Sequence, residues 1–467
     1  MTQANESLPG NVAVRRRRIR REVVSVRRKQ RTRFQPRPWM IPVVFAVVIA
    51  LGAFALSLPI ASESREWTNG VDSLFTSVSA VCVTGLARFD TAEHWSFFGE
   101  ATIALLIQAG GLGVTMYAGA LLLIFGNRFG LRGREFFGME LMDTGDRDIL
   151  RLLRRVMIFA FGIELVTFLL LLPWFWLDEA GANAVWKSLF HSVSAFNNAG
   201  FDLQGGLRSF TEEVDDPYPI AVMGIAAFLG SMSFITVFNM RQRPRGWTLD
   251  TKLVVIGMMT LLFGGMGLFL VGEQGDGHIL EGMNPIEQVV NSFFLSVNRT
   301  TGMSTVDLGL VQDSTTAALL LLMFIGGSST STAGGIKMGA FMVSLVVVLS
   351  ALRGQHRASV FGRDIPQAIV LRAIAVTILG FFTLGLGVWL LELTDDLEFL
   401  PLVFEVMSGL ANVGWSQSIT PQVSQTGTLI MSVLMFVGRL GPLYVALSIP
   451  DKPRTRYRFP EAGMRIG

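Results

Sequence analysis

The sequence has little charge and almost no cysteine. Charged residues make up 16% of the 467-residue chain, against roughly 25% in an ordinary soluble domain. The single cysteine, Cys82, excludes a disulfide framework and any site built from several thiolates, and four histidines leave little material for a zinc centre. Hydrophobic residues, in contrast, account for 51% of the chain. These proportions indicate a polytopic membrane protein and exclude most classes of soluble enzyme.

Several apolar segments reach the length of about 20 residues that crosses a bilayer as a helix. The sequence predicts eight such spans, near residues 40–61, 99–125, 151–177, 218–240, 249–272, 316–350, 367–393 and 424–449. Shorter apolar segments lie between the two spans of each pair, near residues 70–84, 184–199, 287–301 and 400–413. They are too short to cross, so they are predicted to be re-entrant. A long basic tract precedes the first span, and no cleavable signal peptide is expected there.

Basic residues determine the predicted orientation. Of the 39 Lys and Arg residues, 32 lie in the segments 1–39, 126–155, 241–252, 351–372 and 451–467. These segments fall on one side of an eight-span topology, and the positive-inside rule places them and both termini in the cytoplasm. The basic run at 15–33 resembles a nucleic-acid patch in composition, but its place directly before a span favours an orientation signal that contacts anionic lipid. Docking of a cytosolic partner is an additional role.

The chain contains a fourfold internal repeat. Four short apolar segments align without a gap on a glycine that follows a serine by six residues. The glycines are Gly85, Gly200, Gly302 and Gly414, and the serines are Ser79, Ser194, Ser296 and Ser408. The predicted repeats cover 40–125, 126–240, 241–350 and 351–450, between a basic cytoplasmic segment, 1–39, and a cytoplasmic tail, 451–467. The predicted fold is therefore an all-α polytopic membrane protein. It has eight transmembrane helices and four re-entrant loops around a pseudo-fourfold central pore.

A re-entrant loop needs its backbone to face protein or water, because lipid leaves polar groups unsatisfied. Four such loops at one axis form a ring of carbonyl oxygens that replaces the hydration shell of a cation. Glycine permits the required backbone angles, and the negative ends of the short helices point at the same place. The predicted ion filter consists of Val83, Thr84, Gly85, Asn198, Ala199, Gly200, Thr300, Thr301, Gly302, Asn412, Val413 and Gly414. Nearby acids either concentrate cations at the outer mouth or cap the next span; they are Asp90, Asp202 and Asp307.

The loop sequences resemble those of the Trk/Ktr/HKT superfamily of potassium transporters. The motifs that carry the resemblance are VCVTGL, FNNAGFD, NRTTGMST, LANVGWS, GGSSTSTAGGIKMG and MFVGRLGPLY, together with a C-terminal FPEAGMRIG similar to that of bacterial Ktr membrane subunits. The resemblance implies potassium uptake across the bacterial plasma membrane, and a glycine in all four filters favours potassium over sodium. It also implies a homodimer on a cytosolic nucleotide-binding ring, with sodium as a candidate activator. No cofactor is expected, since the ion is the substrate.

Small residues interrupt the sixth apolar segment between positions 326 and 339. They form either a kinked, closely packed helix or a broken helix whose loop obstructs the pore beneath the filter. The resemblance implies a gating loop here, although Ser329 and Thr330 replace residues that commonly include glycine. The predicted gate comprises Gly326, Gly327, Ser328, Ser329, Thr330, Ser331, Thr332, Ala333, Gly334, Gly335, Lys337 and Arg439. Lys337 is expected to contact carbonyls or acids. Arg439, the one charge in the last span, either forms a static ion pair or, as the resemblance implies, a barrier in the pore.

Other residues are predicted to have structural roles. Glu164 is expected to bond to a short pore helix, Arg88 and Arg299 to brace filter loops, and Cys82 to pack. The glycine motifs at 110–113 and 264–267 lie within spans, so close helix packing is favoured over nucleotide binding. The alternative function is a sodium-coupled secondary transporter of another solute, which predicts two inverted repeats rather than four parallel ones. No arrangement typical of an enzyme is present, and a membrane enzyme is a distant third.

Overall fold

The computed structural model describes the chain in four stretches, residues 40–125, 146–179, 181–275 and 278–448. Side chains are described there except at 114–125, 146–150, 152 and 443–448. The predicted basic segment 1–39, much of the predicted basic segment 126–155 and the predicted tail 451–467 lie outside the described residues, as does the C-terminal FPEAGMRIG motif.

The described residues are mostly helical. The α-helices are α1 (Met40–Ser57), α2 (Gly70–Cys82), α3 (Thr91–His94), α4 (Phe97–Phe125), α5 (Asp146–Asp178), α6 (Ala182–Asn197), α7 (Pro217–Ser231), α8 (Phe234–Met240), α9 (Leu249–Gly272), α10 (Pro285–Asn298), α11 (Asp313–Phe324), α12 (Met338–Leu352), α13 (Gln367–Glu392), α14 (Phe399–Ala411) and α15 (Gln425–Ser448). Strands β1 (Ser359–Val360) and β2 (Arg363–Asp364) form a short antiparallel hairpin between α12 and α13. Short 3₁₀ turns occur at Thr211–Glu213, Pro244–Gly246 and Thr420–Gln422.

The helices follow the predicted order of span, short helix, loop and span, four times. Among the described residues, four helices are long and apolar enough to cross a membrane unaided: Met40–Ser57, Leu153–Asp178, Leu249–Gly272 and Gln367–Glu392. Each begins a repeat. The second span of a repeat is α4, the pair α7 and α8, the pair α11 and α12, or α15. The 29 residues of α4 and the 24 of α15 extend about 43 and 36 Å.

The predicted fourth span is not one straight helix. It bends by 97° between α7 and α8, where Met232 and Ser233 take extended backbone angles. The Ser233 hydroxyl accepts the amide of Ile235 and so caps the new helix. The sequence predicts a span across 218–240 but not this break, because apolar periodicity does not register a two-residue interruption after which a serine caps the new helix.

The four short apolar segments are re-entrant helices, as predicted. We call α2, α6, α10 and α14 the pore helices. Local sequence sets where two of them begin: Asn69 accepts the amide of Val71 at the start of α2, and Asn284 forms a capping box with Glu287 at the start of α10. Each pore helix ends three or four residues before its repeat glycine, so all four direct their negative ends toward those glycines.

Glycines let the second spans press against the pore helices. A Cβ atom at Gly110, Gly230 or Gly438 would lie 1.8–1.9 Å from a pore-helix carbonyl oxygen, at Val81, Phe196 and Leu410 respectively. Only glycine permits so close an approach. The motif at 110–113 therefore serves helix packing, as predicted. In the motif at 264–267, Gly265 does the same against Ser296, whereas Gly264 and Gly267 have open space around them.

Candidate functional site: a carbonyl ring and the loop beneath it

The four repeat glycines close a ring. A Cβ atom placed on each glycine would approach a carbonyl oxygen of the next repeat to between 2.1 and 2.5 Å. The pairs are Gly85 with Ala199, Gly200 with Thr301, Gly302 with Val413, and Gly414 with Thr84. Each glycine has a positive φ, between +76° and +101°, which disfavours any residue with a Cβ. The ring runs through the repeats in chain order and returns from the fourth to the first.

Three pore helices end in the same left-handed turn. Val83, Asn198 and Asn412 have φ between +52° and +59°, and the amide of the next residue donates to the carbonyl of the repeat serine at 2.8–2.9 Å. The third repeat departs from this pattern. Arg299 stays right-handed there, and the amides of Thr301 and Gly302 both donate to the carbonyl of Asn298. The pseudo-fourfold symmetry is thus a symmetry of position rather than of hydrogen bonding.

The repeat serines support the ring from behind. The hydroxyls of Ser79 and Ser408 accept the amides of Gly85 and Gly414 at 3.1 and 3.0 Å. Ser194 instead donates to the carbonyl of Phe201, and Ser296 donates to Leu262 on the neighbouring span. The serine spacing seen in the sequence therefore reflects a bond to the backbone of the following loop in the first, second and fourth repeats, and an anchor to a span in the third.

Side chains link the loops of adjacent repeats. The Asn198 amide oxygen accepts the hydroxyls of Thr300 and Thr301 at 3.0 and 2.8 Å, so the second loop is tied to the third. Asn412 donates to the Thr84 hydroxyl at 3.0 Å and ties the fourth loop to the first. All five side chains are buried. Because buried polar groups are costly unless paired, these bonds hold the ring in one geometry.

One face of the ring opens into a cavity of about 440 Å³, lined by all four repeat glycines. Asp90, Asp202 and Asp307 line the same cavity, and none of them caps a following span. Asp90 caps the one-turn helix α3 and also accepts the amide of Leu207 at 2.6 Å. Asp202 and Asp307 each accept an amide two residues further on. The acids therefore both shape the loops and place negative charge at the mouth of the ring.

Two acids in the loop between α6 and α7 have pKa values close to neutral pH. Burial raises the pKa of Asp202 to about 7, with the charges of Asp90 and Glu213 adding to the shift and the amide of Gln204 opposing it. Burial also raises the pKa of Glu213 to about 7, and neighbouring acids reinforce it. The negative charge at the mouth thus depends on pH near neutrality.

Charged residues behind the loops act as braces, as the sequence predicts. Arg88 pairs with Asp72 at 2.9 Å and donates to Thr428. Arg299 donates to the carbonyl of Ile325, which begins the loop of the broken span. Glu164 accepts from Asn197, the last residue of a pore helix, at 3.0 Å, and from Gln108 on α4. Cys82 is buried among apolar side chains.

The sixth apolar segment is a broken helix, not a kinked one. Helix α11 ends at Phe324, α12 begins at Met338, and we call residues 325–337 the crossing loop. The loop has a closed stem: Ile325 and Ile336 form a parallel bridge, and the amide of Gly326 donates to the carbonyl of Ile336 at 2.9 Å. Residue 339, at the end of the predicted interruption, already belongs to α12.

The crossing loop lies against the pore-helix ends, on the side of the ring away from the cavity that the acids line. Thr332 bonds to the carbonyls of Phe196 and Gly230 and accepts from Asn198, while a Cβ on Gly334 would lie 2.4 Å from that of Asn412. The loop therefore contacts the residues that precede the glycines of the second and fourth repeats. These two repeats are not neighbours in the ring, so the loop bridges two opposite repeats.

Besides Arg299, which binds the first residue of the crossing loop, two further cations hold it in place. Lys337 donates to the carbonyl of Ala333 within the loop, as the sequence predicts. Arg439 donates to the carbonyl of Thr332 and, at 3.0 Å, to that of Gly110 on α4. Among the described residues its partners are carbonyl oxygens rather than a carboxylate, so Arg439 joins the loop to the first and fourth repeats instead of forming the alternative static ion pair.

The exposed tip of the loop carries a strained residue. Thr330 has φ of +63°, which is rare for a β-branched side chain. Its hydroxyl lies 2.8 Å from that of Ser233, at the bend between α7 and α8. The two departures from glycine noted in the sequence, Ser329 and Thr330, are therefore at the tip, and one of them is held by a hydrogen bond.

The sequence did not predict where the crossing loop binds. The carbonyl of Ser231 accepts the amide of Ser328 at 3.0 Å, and that of Gly230 accepts from Thr332. The signal was present as three small residues close together, Gly230, Ser231 and Ser233, inside an otherwise apolar span. Glu405 was also missed. It is buried on the fourth pore helix and accepts from Thr420 and Ser416 behind the filter loop.

Comparisons with known proteins agree with this architecture. A family model described as "TrkH: Cation transport protein" matches residues 25–453. The chain is 34% identical to the Ktr system potassium uptake protein B of Bacillus subtilis, covering 93% of this chain and 97% of that protein. It is 33% identical to the potassium/sodium uptake protein NtpJ of Enterococcus hirae, over 95% and 99% of the two chains. The crystal structure of the potassium transporter TrkH from Vibrio parahaemolyticus superposes with a TM-score of 0.69 at 17% identity, covering 91% and 87%.

Proposed function

We propose that this chain, which belongs to the TrkH family of cation transport proteins, carries potassium into a bacterial cell through the glycine ring. As a member of an ion-transport family it is a membrane transporter and not an enzyme. The observation that carries the proposal is the closure of the ring, in which a glycine of each repeat meets a carbonyl of the next. Those carbonyl oxygens, with their neighbours in the twelve predicted filter residues, replace the water around a dehydrated cation.

Potassium is the ion that the ring suits best. All four positions are glycine, so no side chain narrows the ring or adds a hydroxyl to it. Four pore helices point their negative ends at the site, and three carboxyl groups line its mouth. The named function of the Bacillus subtilis relative is potassium uptake, while the Enterococcus hirae relative is named for potassium and sodium. Sodium as an activator therefore belongs to the same proposal.

The crossing loop and Arg439 are the proposed gate. The loop lies across the axis on the side away from the mouth, and Arg439 places a positive charge against it. A potassium ion that leaves the ring meets both. Opening requires the loop to give up its bonds to Gly230, Phe196 and Ser231. The proposed barrier thus comes from the hydrogen bonds that hold the loop closed and from the positive charge of Arg439. A partner protein that moves the loop would break those bonds and displace that charge.

The proposed setting is the bacterial plasma membrane, with both termini in the cytoplasm by the positive-inside rule. The membrane potential drives uptake by about 2.3 kcal/mol per charge for each 100 mV. We propose a homodimer seated on a cytosolic nucleotide-binding ring, in line with the name of the Bacillus subtilis relative as one protein of a system. The sodium-coupled alternative loses support, since four parallel re-entrant loops do not form two inverted repeats.

Potassium-limited growth tests the proposed function. A bacterium that lacks its own potassium uptake systems should grow in medium low in potassium only when it expresses this chain with its cytosolic partner. In liposomes, purified protein should carry potassium ions down their gradient without any organic solute. Uptake of a solute with sodium, and no potassium movement by folded protein with its partner bound, would establish the alternative instead.

The mouth should give uptake a pH dependence. Asp202 is charged above pH 7 and neutral below it, so potassium affinity should fall as the external pH falls through about 7. Because the neutral carboxyl no longer attracts cations to the mouth, the KM for potassium should rise about threefold, or about 0.7 kcal/mol. Asp202→Asn should show the raised KM at every pH between 6 and 8. An unchanged pH profile in the variant would remove Asp202 from the mouth.

A further inference from the structure

A second cavity, of about 190 Å³, lies beside the crossing loop and shares no lining residue with the cavity at the ring. It lies between α13, the fourth pore helix, α15, the end of α11 and the end of the crossing loop. Its lining is almost entirely carbon, with Thr383 as the exception, and it includes Ile336, Leu379, Met407, Val437 and Gly441. The Thr383 hydroxyl is already used, since it donates to the carbonyl of Leu379.

The cavity opens to the surface of the protein near the middle of two spans, where the hydrocarbon of a bilayer is expected. Leu379 and Val437 at its mouth are 49% and 38% exposed, whereas Met407 and Ile336 at its far end are 4% and 7% exposed. Leu379 lies near the middle of the 26-residue helix α13, and Val437 near the middle of the 24-residue helix α15. Only 17% of the apolar window of α13 is buried within the chain.

The chemistry of the lining selects the occupant. A water molecule needs two to four polar partners in a buried site, and this cavity offers almost none. Apolar cavities of about 150 Å³ stay dry and accept hydrocarbon molecules. At mid-depth of a bilayer the molecules next to the mouth are lipid chains. A saturated chain that enters also restores the dispersion contacts that an empty cavity loses.

We infer that this cavity is a binding site for one acyl chain of a membrane lipid, which packs against the crossing loop. The acyl chain contacts Ile336 and Gly335. Gly335 has a φ of +71°, and the polypeptide turns there toward α12. Ile336 also closes the stem of the loop through its bridge with Ile325. An acyl chain in the cavity therefore packs directly against the stem of the crossing loop. Through this contact, membrane lipid stabilises the closed position of the loop.

Photocrosslinking tests the binding site. The full chain is reconstituted in nanodiscs of phosphatidylglycerol whose acyl chain carries a diazirine near its end, and labelled peptides are mapped. Labels should appear on cavity residues of α13 and α15. Gly441→Leu fills the cavity, because a Cβ there meets only Val437, at 3.6 Å. It should reduce this labelling about tenfold, equivalent to about 1.4 kcal/mol of binding.

The matched control is Gly385→Leu, which adds the same side chain to an exposed position of α13 where nothing lies within 4 Å. It should leave labelling of the cavity unchanged. Wild-type protein without labels in the cavity, or equal labelling in Gly441→Leu, would overturn the site. Labelling confined to the outer faces of the helices has the same meaning, since it marks annular lipid only.

Hydrogen exchange tests the contact with the loop. Amides of residues 334–338 should exchange faster after delipidation of the wild-type protein and return to slow exchange when phosphatidylglycerol is restored. In Gly441→Leu, whose own side chain fills the cavity, delipidation should have no such effect. Equal exchange in wild-type protein with and without lipid would overturn the coupling. Neither measurement uses ion flux, so the result stands apart from the test of potassium transport.

Discussion

Replacing Gly414 by alanine is expected to lower the rate of potassium uptake by about two orders of magnitude, equivalent to a barrier about 2.7 kcal/mol higher. The new Cβ would lie 2.1 Å from the carbonyl oxygen of Thr84, so the ring must distort where the fourth repeat meets the first. The φ of +101° adds strain of about 1–2 kcal/mol for a residue with a Cβ. Rubidium or potassium flux into liposomes measures the loss.

The control separates the ring from a general effect of losing glycine. Gly264→Ala changes an exposed helical position on α9 with nothing within 4 Å, where alanine improves helix propensity by about 0.5–1 kcal/mol. It should leave uptake unchanged. Both variants should elute as the wild-type protein does on gel filtration. Normal potassium flux through folded Gly414→Ala protein would show that ions do not pass the ring.

Deleting residues 328–333 from the crossing loop is expected to raise potassium flux about tenfold, as for a barrier lowered by about 1.4 kcal/mol. Deletion of residues 328–333 leaves chain ends that already lie together, since a Cβ on Gly326 would lie 1.9 Å from the carbonyl oxygen of Gly334. The deletion also removes the carbonyl of Thr332 that Arg439 binds. Dependence on the cytosolic partner should weaken in the same flux assay.

Two substitutions give the milder arms of this experiment. Thr332→Val keeps the backbone but loses the hydroxyl that bonds to Phe196 and Gly230, so flux should rise less than in the deletion. Thr102→Val is its control, since that hydroxyl bonds only within α4, and it should not change flux. Folded deletion protein with normal or reduced flux would mean that the loop packs helices and does not gate.

Arg439→Ala should likewise give faster potassium entry. The substitution takes a fixed positive charge away from the proposed ion path and frees the carbonyls of Thr332 and Gly110. The lost hydrogen bonds cost about 1–3 kcal/mol of stability when their acceptors stay buried. Expression and thermal unfolding are therefore measured with the flux. A variant that folds and transports no faster than wild-type protein would exclude a barrier role for the arginine.

Local chemistry is what allowed the sequence to predict so much of this protein. The length of an apolar run decides whether it crosses the bilayer, and this gave the spans and the four pore helices. A positive φ favours glycine at that one position, whatever the rest of the fold does. The four glycines could therefore be recognised in the sequence by their regular spacing from a serine; they are Gly85, Gly200, Gly302 and Gly414. The broken sixth span was visible for the same reason, since a cluster of small polar residues interrupts the apolar run.

The tertiary structure alone decided which groups meet. Gly414 touches Thr84 across 330 residues of chain, and Arg439 reaches Gly110 across 329. The 97° bend at Met232 and Ser233, the right-handed turn at Arg299 and the cavity at Ile336 were likewise absent from the pattern. Periodicity and composition report how a residue sits on its own helix. A contact between distant segments depends on how whole helices pack, because packing energy is spread over many side chains that no local spacing encodes.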